Sequence, residues 1–169
     1  MATDVQIERP VSRVVALPHG ALALAGLAAT AGVIHFVSTI EHIGREWALA
    51  VFLALVGAGQ FTAGWRIYRN VYDARLLTLV AGASILVALL WVWSRTTGIP
   101  FGPEAGVAKV GVGDSIATML ELAFAALVAI VLTRGEQALA WLSSGLGVRL
   151  TCAVLSLCLM MAAVGGHQH

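Results

Sequence analysis

The chain has 169 residues, of which 59% are hydrophobic and 11% are charged, and its mean hydropathy is +0.89. This composition excludes an ordinary soluble domain and is typical of an integral membrane protein. The formal net charge of +1 comes with few, scattered basic residues, which argues against nucleic acid as a partner. The lipid bilayer is therefore the first partner that the sequence predicts.

Five apolar segments each have about the 17 to 25 residues that a membrane-spanning helix needs. Inside lipid, backbone polar groups have to be satisfied within the segment, so we predict α-helices. We expect one domain over residues 1–169, with an all-α fold: a polytopic membrane helical bundle of about five transmembrane helices. The predicted spans cover residues 20–41, 47–66, 75–95, 113–133 and 148–165. Residues 134–147 are expected to form a short amphipathic segment at the membrane interface.

The basic residues predict how the bundle is oriented. If the N-terminus is cytoplasmic, seven arginines fall on the cytoplasmic side and three basic residues fall on the other side. This distribution favours a cytoplasmic N-terminus and a C-terminus outside the cell, in a bacterial plasma membrane. The end of the first span and the beginning of the fourth then lie near the outer face.

The first span changes from an apolar run to a polar end. His35, Thr39, His42 and Glu46 follow one another at spacings of four, three and four residues, so they share one face of a helix. Two imidazoles and a carboxylate on one face indicate that this end of the helix has a partner or a ligand.

The fourth span repeats this arrangement. Asp114 and Glu121 are seven residues apart, the same two-turn spacing as His35 and His42, and the orientation places both pairs at matching depths. An ionisable group inside the bilayer costs at least a few kcal/mol, so such residues normally face the interior of the bundle. We predict that the two helices share one polar site and that His35 lies opposite Glu121.

A transition metal site is the leading functional hypothesis. Imidazole and carboxylate groups on facing helices are the ligands from which bundles build such sites. The set suits zinc, iron or manganese, and with Met119, Met160 and Met161 it would suit copper. The spacing matches no standard metal motif. The candidate metal ligands are His35, His42, Glu46, Asp114 and Glu121, with His167 and His169 of the C-terminal tail as auxiliary ligands. Haem is disfavoured, because both histidines in the spans lie on one helix.

Two alternatives belong to other classes of protein. In the first, the polar groups only neutralise one another, Arg95 and Arg45 pairing with carboxylates and His35 bonding a hydroxyl such as that of Thr118. The chain is then a structural or accessory subunit of a larger membrane complex. In the second, Trp91, Trp93 and Phe101 line a cavity for a lipid or small amphiphile, with His35 and Glu121 as a base and acid pair. Whether the protein is an enzyme stays open.

Other features concern packing. In the second span, Gly57, Gln60 and Gly64 share a stripe that allows close approach of a neighbouring helix and places one amide in the interior. The loop over residues 96–112 contains several Gly and Pro residues and is expected to form an ordered cover over the outer end. The last span has no ionisable residue after Arg149 and is expected to pack at the periphery.

Three motifs together resemble a known group of chains. They are H-F-x5-H-x3-E beginning at His35, W-S-R-T-x-G-I-P-F-G-P beginning at Trp93, and D-S-I-A-T-M-L-E-L beginning at Asp114. The combination resembles a family of small, uncharacterised bacterial multi-pass membrane proteins, over about residues 28–133. The resemblance implies that His35, His42, Glu46, Arg95, Asp114 and Glu121 belong to one unit. It implies no activity.

Overall fold

A computed structural model describes residues 18–69, 73–98, 106–142 and 144–165. These residues form six helices in chain order, and the fold is an all-α helical bundle, as predicted. The helices are α1 (Pro18–His42), α2 (Trp47–Tyr68), α3 (Ala74–Thr96), α4 (Val112–Arg134), α5 (Glu136–Leu142) and α6 (Gly145–Gly165).

The helix ends follow local rules. Pro18 is the first residue of α1, where the missing N–H of proline removes no helical hydrogen bond. Asp73 caps α3, and its side chain accepts a 2.8 Å hydrogen bond from the Arg75 amide. Gly135 has φ +55° and separates α4 from α5, because a residue with positive φ cannot continue a right-handed helix.

Four helices are long and apolar enough to cross a membrane, in agreement with the first four predicted spans: α1 from Gly20, α2, α3 and α4. The fifth predicted span corresponds to α6, which has a shorter apolar stretch, Gly145–Met161. The segment predicted to be interfacial contains α5, and its Trp141 is exposed. These helices support the prediction of a membrane protein.

The two central helices are α1 and α4. They contact each other, α2 packs against α1, α3 packs against α4, and α6 lies across both central helices, whereas α2 and α3 touch only slightly. Accordingly 67% of the α1 span is buried, against 22% of the α3 span. The alternating direction of the four helices creates two ends. We call them the Asp114 end, where α1 and α3 finish and α2 and α4 begin, and the Arg66 end, which is opposite.

The predicted glycine stripe of α2 packs against α1. A Cβ on Gly57 would lie 3.1 Å from the carbonyl oxygen of Gly32, and a Cβ on Gly64 would lie 3.0 Å from that of Ala25. The two backbones are therefore closer than larger side chains permit. This contact positions α2 so that the buried Gln60, between the two glycines, enters the interior.

The close contact between α1 and α2 predicts the effect of adding a side chain. Gly57→Leu is expected to lower the free energy of unfolding by about 2 kcal/mol, because the new side chain overpacks the interface. Gly59→Leu is the matched control, since nothing lies within 4 Å of a Cβ at that position of the same helix. Thermal unfolding in detergent measures both variants. Equal losses of stability in Gly57→Leu and Gly59→Leu would contradict overpacking of the interface as the cause.

Candidate functional site

Glu121 is the most deeply buried ionisable residue described. It lies in the middle of α4, its residue exposure is 1%, and the buried residues that follow it on the same helix are apolar. A carboxylate in such surroundings needs hydrogen-bond donors or a cation, because its desolvation is otherwise uncompensated. Its partners therefore define the site.

Two side chains from two other helices meet one oxygen of Glu121. His35 Nε2 lies 3.0 Å from Glu121 Oε1, and Gln60 Nε2 donates a 2.8 Å hydrogen bond to the same oxygen. His35 and Gln60 are 7% and 8% exposed. We call His35, Gln60 and Glu121 the Glu121 cluster. It joins α1, α2 and α4 and contains the pair predicted from sequence, His35 opposite Glu121.

Two acceptors of the cluster are left without donors. Within the described part of the chain, neither Glu121 Oε2 nor Gln60 Oε1 has a hydrogen-bond partner, and both atoms are fully buried. Buried acceptors of this kind are normally satisfied by a donor, a bound water or an ion. The cluster thus combines one imidazole nitrogen with unsatisfied carboxylate and amide oxygens, which can receive a cation or an N–H or O–H donor.

A second polar group lies at the Asp114 end. Arg95 Nη2 donates a 2.6 Å hydrogen bond to Asp114 Oδ2, Arg95 Nη1 donates to Ser94 Oγ at 3.0 Å, and the guanidinium lies 5.8 Å from the Trp91 ring centre. The carboxylate of Asp114 therefore has a cationic partner of its own, as one alternative predicted. We call Trp91, Ser94, Arg95 and Asp114 the Arg95 cluster.

The other predicted ligands lie apart from the Glu121 cluster or outside the described residues. His42 is two helical turns from His35, about 10 Å along the axis, and His42 Nδ1 lies 2.7 Å from the carbonyl oxygen of Ser38. Glu46 occupies the N-cap position of α2. His167 and His169 lie outside the described residues, so the contribution of the tail stays a prediction. In the residues that the structure does describe, no three His, Cys, Asp or Glu side chains are grouped to hold a metal.

Several contacts predicted under the alternatives differ in the structure. Thr118 does not bond His35; its hydroxyl donates to the Asp114 carbonyl oxygen at 2.9 Å. In the predicted amphiphile cavity, Trp93 is 48% exposed and points away from the core, and Phe101 lies outside the described residues.

The described ends of the predicted cover meet: Ala108 N donates to Ser94 O at 3.0 Å, and a Cβ on Gly98 would collide with Gly106. Residues 99–105 of that cover are not described.

The sequence pattern predicts that Gln60 lies in the interior, but it does not predict that Gln60 belongs to the site. The signal was available, because Gln60 is the one amide among apolar and small residues on the packed face of α2. What the sequence pattern could not supply was the rotation of α2 about its axis, which aims this amide at Glu121.

The ion pair of Arg95 and Asp114 leads to a modest stability prediction. Asp114→Asn is expected to lower the free energy of unfolding by about 1 kcal/mol, since the pair is partly exposed and solvent screens it. Glu41→Gln, a change at an exposed residue of the same end, is the control and should have no effect. Unfolding followed by circular dichroism in detergent compares them. A loss of several kcal/mol for Asp114→Asn would show that its carboxylate has a larger role than this pair.

No family model, curated protein or solved structure matches the chain. The resemblance to small bacterial membrane proteins stays a prediction.

Proposed function

We propose that the protein binds one transition metal ion at the Glu121 cluster, near the outer face of a bacterial plasma membrane. The observation that carries this proposal is the pair of buried, donor-free acceptors, Glu121 Oε2 and Gln60 Oε1, beside the imidazole of His35. Oxygen acceptors next to an imidazole nitrogen form a donor set that attracts zinc, iron or copper.

The separation of His35 from Glu121 is compatible with a shared ion. Two ligands about 2.1 Å from one ion, at an angle of about 90° to 110°, lie about 3.0 to 3.4 Å apart. The observed distance between His35 Nε2 and Glu121 Oε1 is 3.0 Å. A metal bound between these two groups would therefore need only small side-chain movements, and reorientation of the Gln60 amide would supply a third ligand.

The choice of ion follows from the groups around the cluster. Met119, Met160 and Met161 are 69%, 68% and 49% exposed, so their thioethers point away from the core. Without sulfur ligands the cluster favours zinc, iron(II) or copper(II) over copper(I). Auxiliary ligands from His167 and His169 remain part of the proposal. The carboxylate of Asp114 pairs with Arg95, so it is better placed to position Arg95 than to bind the ion.

Metal content of the detergent-purified protein tests this function. The native chain is expected to hold about one ion, and the double variant His35→Ala with Glu121→Gln none, since it lacks the two strongest ligands. His42→Ala is the matched control, because this histidine lies on the same helix but bonds the Ser38 carbonyl instead. Absence of stoichiometric zinc, iron, copper and manganese in the native protein, including after reconstitution, would refute the proposal.

A second function is favoured by the way Glu121 joins three helices. Its hydrogen bonds to His35 and Gln60 would fix the relative rotation of α1, α2 and α4 without any ion. The chain would then be a structural or accessory subunit of a larger membrane complex. Under this alternative, His35→Ala lowers the recovery of partner chains in mild detergent and changes no metal content. A lone monomer that retains its metal would exclude it.

A further inference from the structure

We infer that the Glu121 cluster exchanges its cation with one face of the membrane only, through the Asp114 end of the bundle. This inference rests on the proposed function and adds the route by which the ion arrives. Three features of the molecule support this route: the polar residues on one side of the cluster, the apolar residues on the other, and the charges at the two ends.

Polar groups lie between the cluster and the Asp114 end on both central helices. On α1, the buried Ser38 lies between His35 and the half-buried His42. On α4, the buried Thr118 lies between Glu121 and Asp114, and its hydroxyl already bonds the Asp114 carbonyl. Hydroxyls, an imidazole and a carboxylate at successive turns can solvate an ion or its water as it moves between the mouth and the cluster.

The opposite side is closed by large apolar side chains. Apart from the hydroxyls of Thr30 and Ser84, the buried residues described between the cluster and the Arg66 end are apolar. Five of them come from all four long helices and are at most 2% exposed: Leu24, Ile67, Leu77, Phe124 and Val128. Phe124 and Val128 stand one and two turns beyond Glu121 on α4 itself. The side chains of these five residues carry no polar atom, so they cannot replace the ligands that a dehydrated ion would lose on crossing them.

The charges at the two ends also favour entry of a cation through the Asp114 end. Among the described residues, the Arg66 end has five arginines against two carboxylates, whereas the Asp114 end has three basic and three acidic residues. The five arginines are Arg66, Arg69, Arg75, Arg134 and Arg149. A net positive end repels an approaching cation, and a balanced end does not. Because the orientation predicted from sequence places the Asp114 end outside, the site would receive its ion from the cell exterior.

A site with one entrance is suited to receive, hold or hand over an ion at one face. It is not suited to conduct the ion across the bilayer, since that requires access from both sides. The site would thus exchange a transition metal cation at the outer face, and the apolar layer would close it permanently from the inner side.

Thiol accessibility tests the route in two matched pairs of positions. In a chain with Cys152→Ser and Cys158→Ser, single cysteines are introduced by Ser38→Cys or Ala31→Cys on α1, and by Thr118→Cys or Ala125→Cys on α4. All four positions are buried, and the members of each pair lie three and four residues from His35 or Glu121, on opposite sides. A cationic, water-soluble methanethiosulfonate is supplied on both sides of proteoliposomes, and thermal unfolding checks that each variant is folded.

The expected result is an asymmetry within each pair. Ser38→Cys and Thr118→Cys should react at least about tenfold faster than Ala31→Cys and Ala125→Cys, since thiol reactivity follows access to water. Bound Zn²⁺ should slow the faster pair. Equal rates within the pairs, or no reaction at any of the four positions, would overturn the inference. Because the rates are first measured without metal, they are independent of whether Zn²⁺ binds: failure of binding with the asymmetry intact would refute the proposed function instead.

Discussion

Glu121→Ala is expected to lower the free energy of unfolding by about 3 kcal/mol or more, the largest stability effect predicted for this chain. The substitution removes the acceptor that His35 and Gln60 share, so two polar side chains remain buried without partners. It also leaves a cavity at a position that is 1% exposed. Unfolding of the purified protein in mixed micelles, followed by circular dichroism, gives the measurement. Leu122→Ala is the control, because this neighbouring residue of α4 is exposed and its loss should matter little.

Replacing the whole cluster with apolar residues separates the two effects of Glu121→Ala, which are the unpaired polar groups and the cavity. The triple variant His35→Leu, Gln60→Met and Glu121→Met removes every polar group while keeping similar volumes. It is expected to recover stability to within about 1 kcal/mol of the native chain, since the penalty of Glu121→Ala comes mainly from unpaired groups. A triple variant as unstable as Glu121→Ala would contradict this explanation. A stable triple variant would show that folding does not require the polar groups of the cluster.

His35→Ala is expected to reduce the affinity for Zn²⁺ by at least about 100-fold, which exceeds the usual effect of changing a residue behind a metal ligand. The imidazole nitrogen is the softest donor of the cluster, and the remaining oxygens suit harder ions. The native protein should therefore bind Zn²⁺ in preference to Mg²⁺, and His35→Ala should lose most of that preference. Competition with a fluorescent zinc chelator in detergent measures both affinities.

The control for this prediction is the other histidine of α1. His42→Ala should leave the affinity for Zn²⁺ unchanged, because His42 lies about 10 Å along the axis from His35 and its Nδ1 lies 2.7 Å from the carbonyl oxygen of Ser38. Equal losses for the two variants would indicate that Zn²⁺ binds through surface histidines. Unchanged binding in both would remove His35 from the proposed site.

The helices and their boundaries could be predicted from sequence because the membrane constrains each segment by itself. Length, apolarity and the need to satisfy the backbone locate α1 to α4 to within a few residues. The stripe of Gly57 and Gly64 was also informative, since small residues at helical spacing identify a packed face. The sequence does not indicate that α1 and α4 are the central helices, because all four long helices have similar composition.

The candidate site was predictable to the extent that depth along a helix follows from residue number. The matching positions of His35 and Glu121 were enough to expect their contact, which the structure shows at 3.0 Å. The sequence pattern does not pair Gln60 with any residue of another helix, and its contact with Glu121 depends on the rotation of α2 about its axis. Arg95 was a candidate partner for several carboxylates, and its position at the end of α3 brings it to Asp114.

The sequence by itself determined that this protein is an all-α bundle with apolar helices suited to a membrane, and that the histidines and carboxylates of the first and fourth spans lie toward the same end of the bundle. These properties are local, because they depend on the composition and spacing of each segment. Only the tertiary structure decided that Glu121 takes both His35 and Gln60 as partners, that Asp114 pairs with Arg95, and that two buried oxygens have no hydrogen-bond donor among the described residues. Hydrogen bonds depend on separations of about 3 Å, and these are set by helix rotation and register, which the pattern of residues along one segment does not contain.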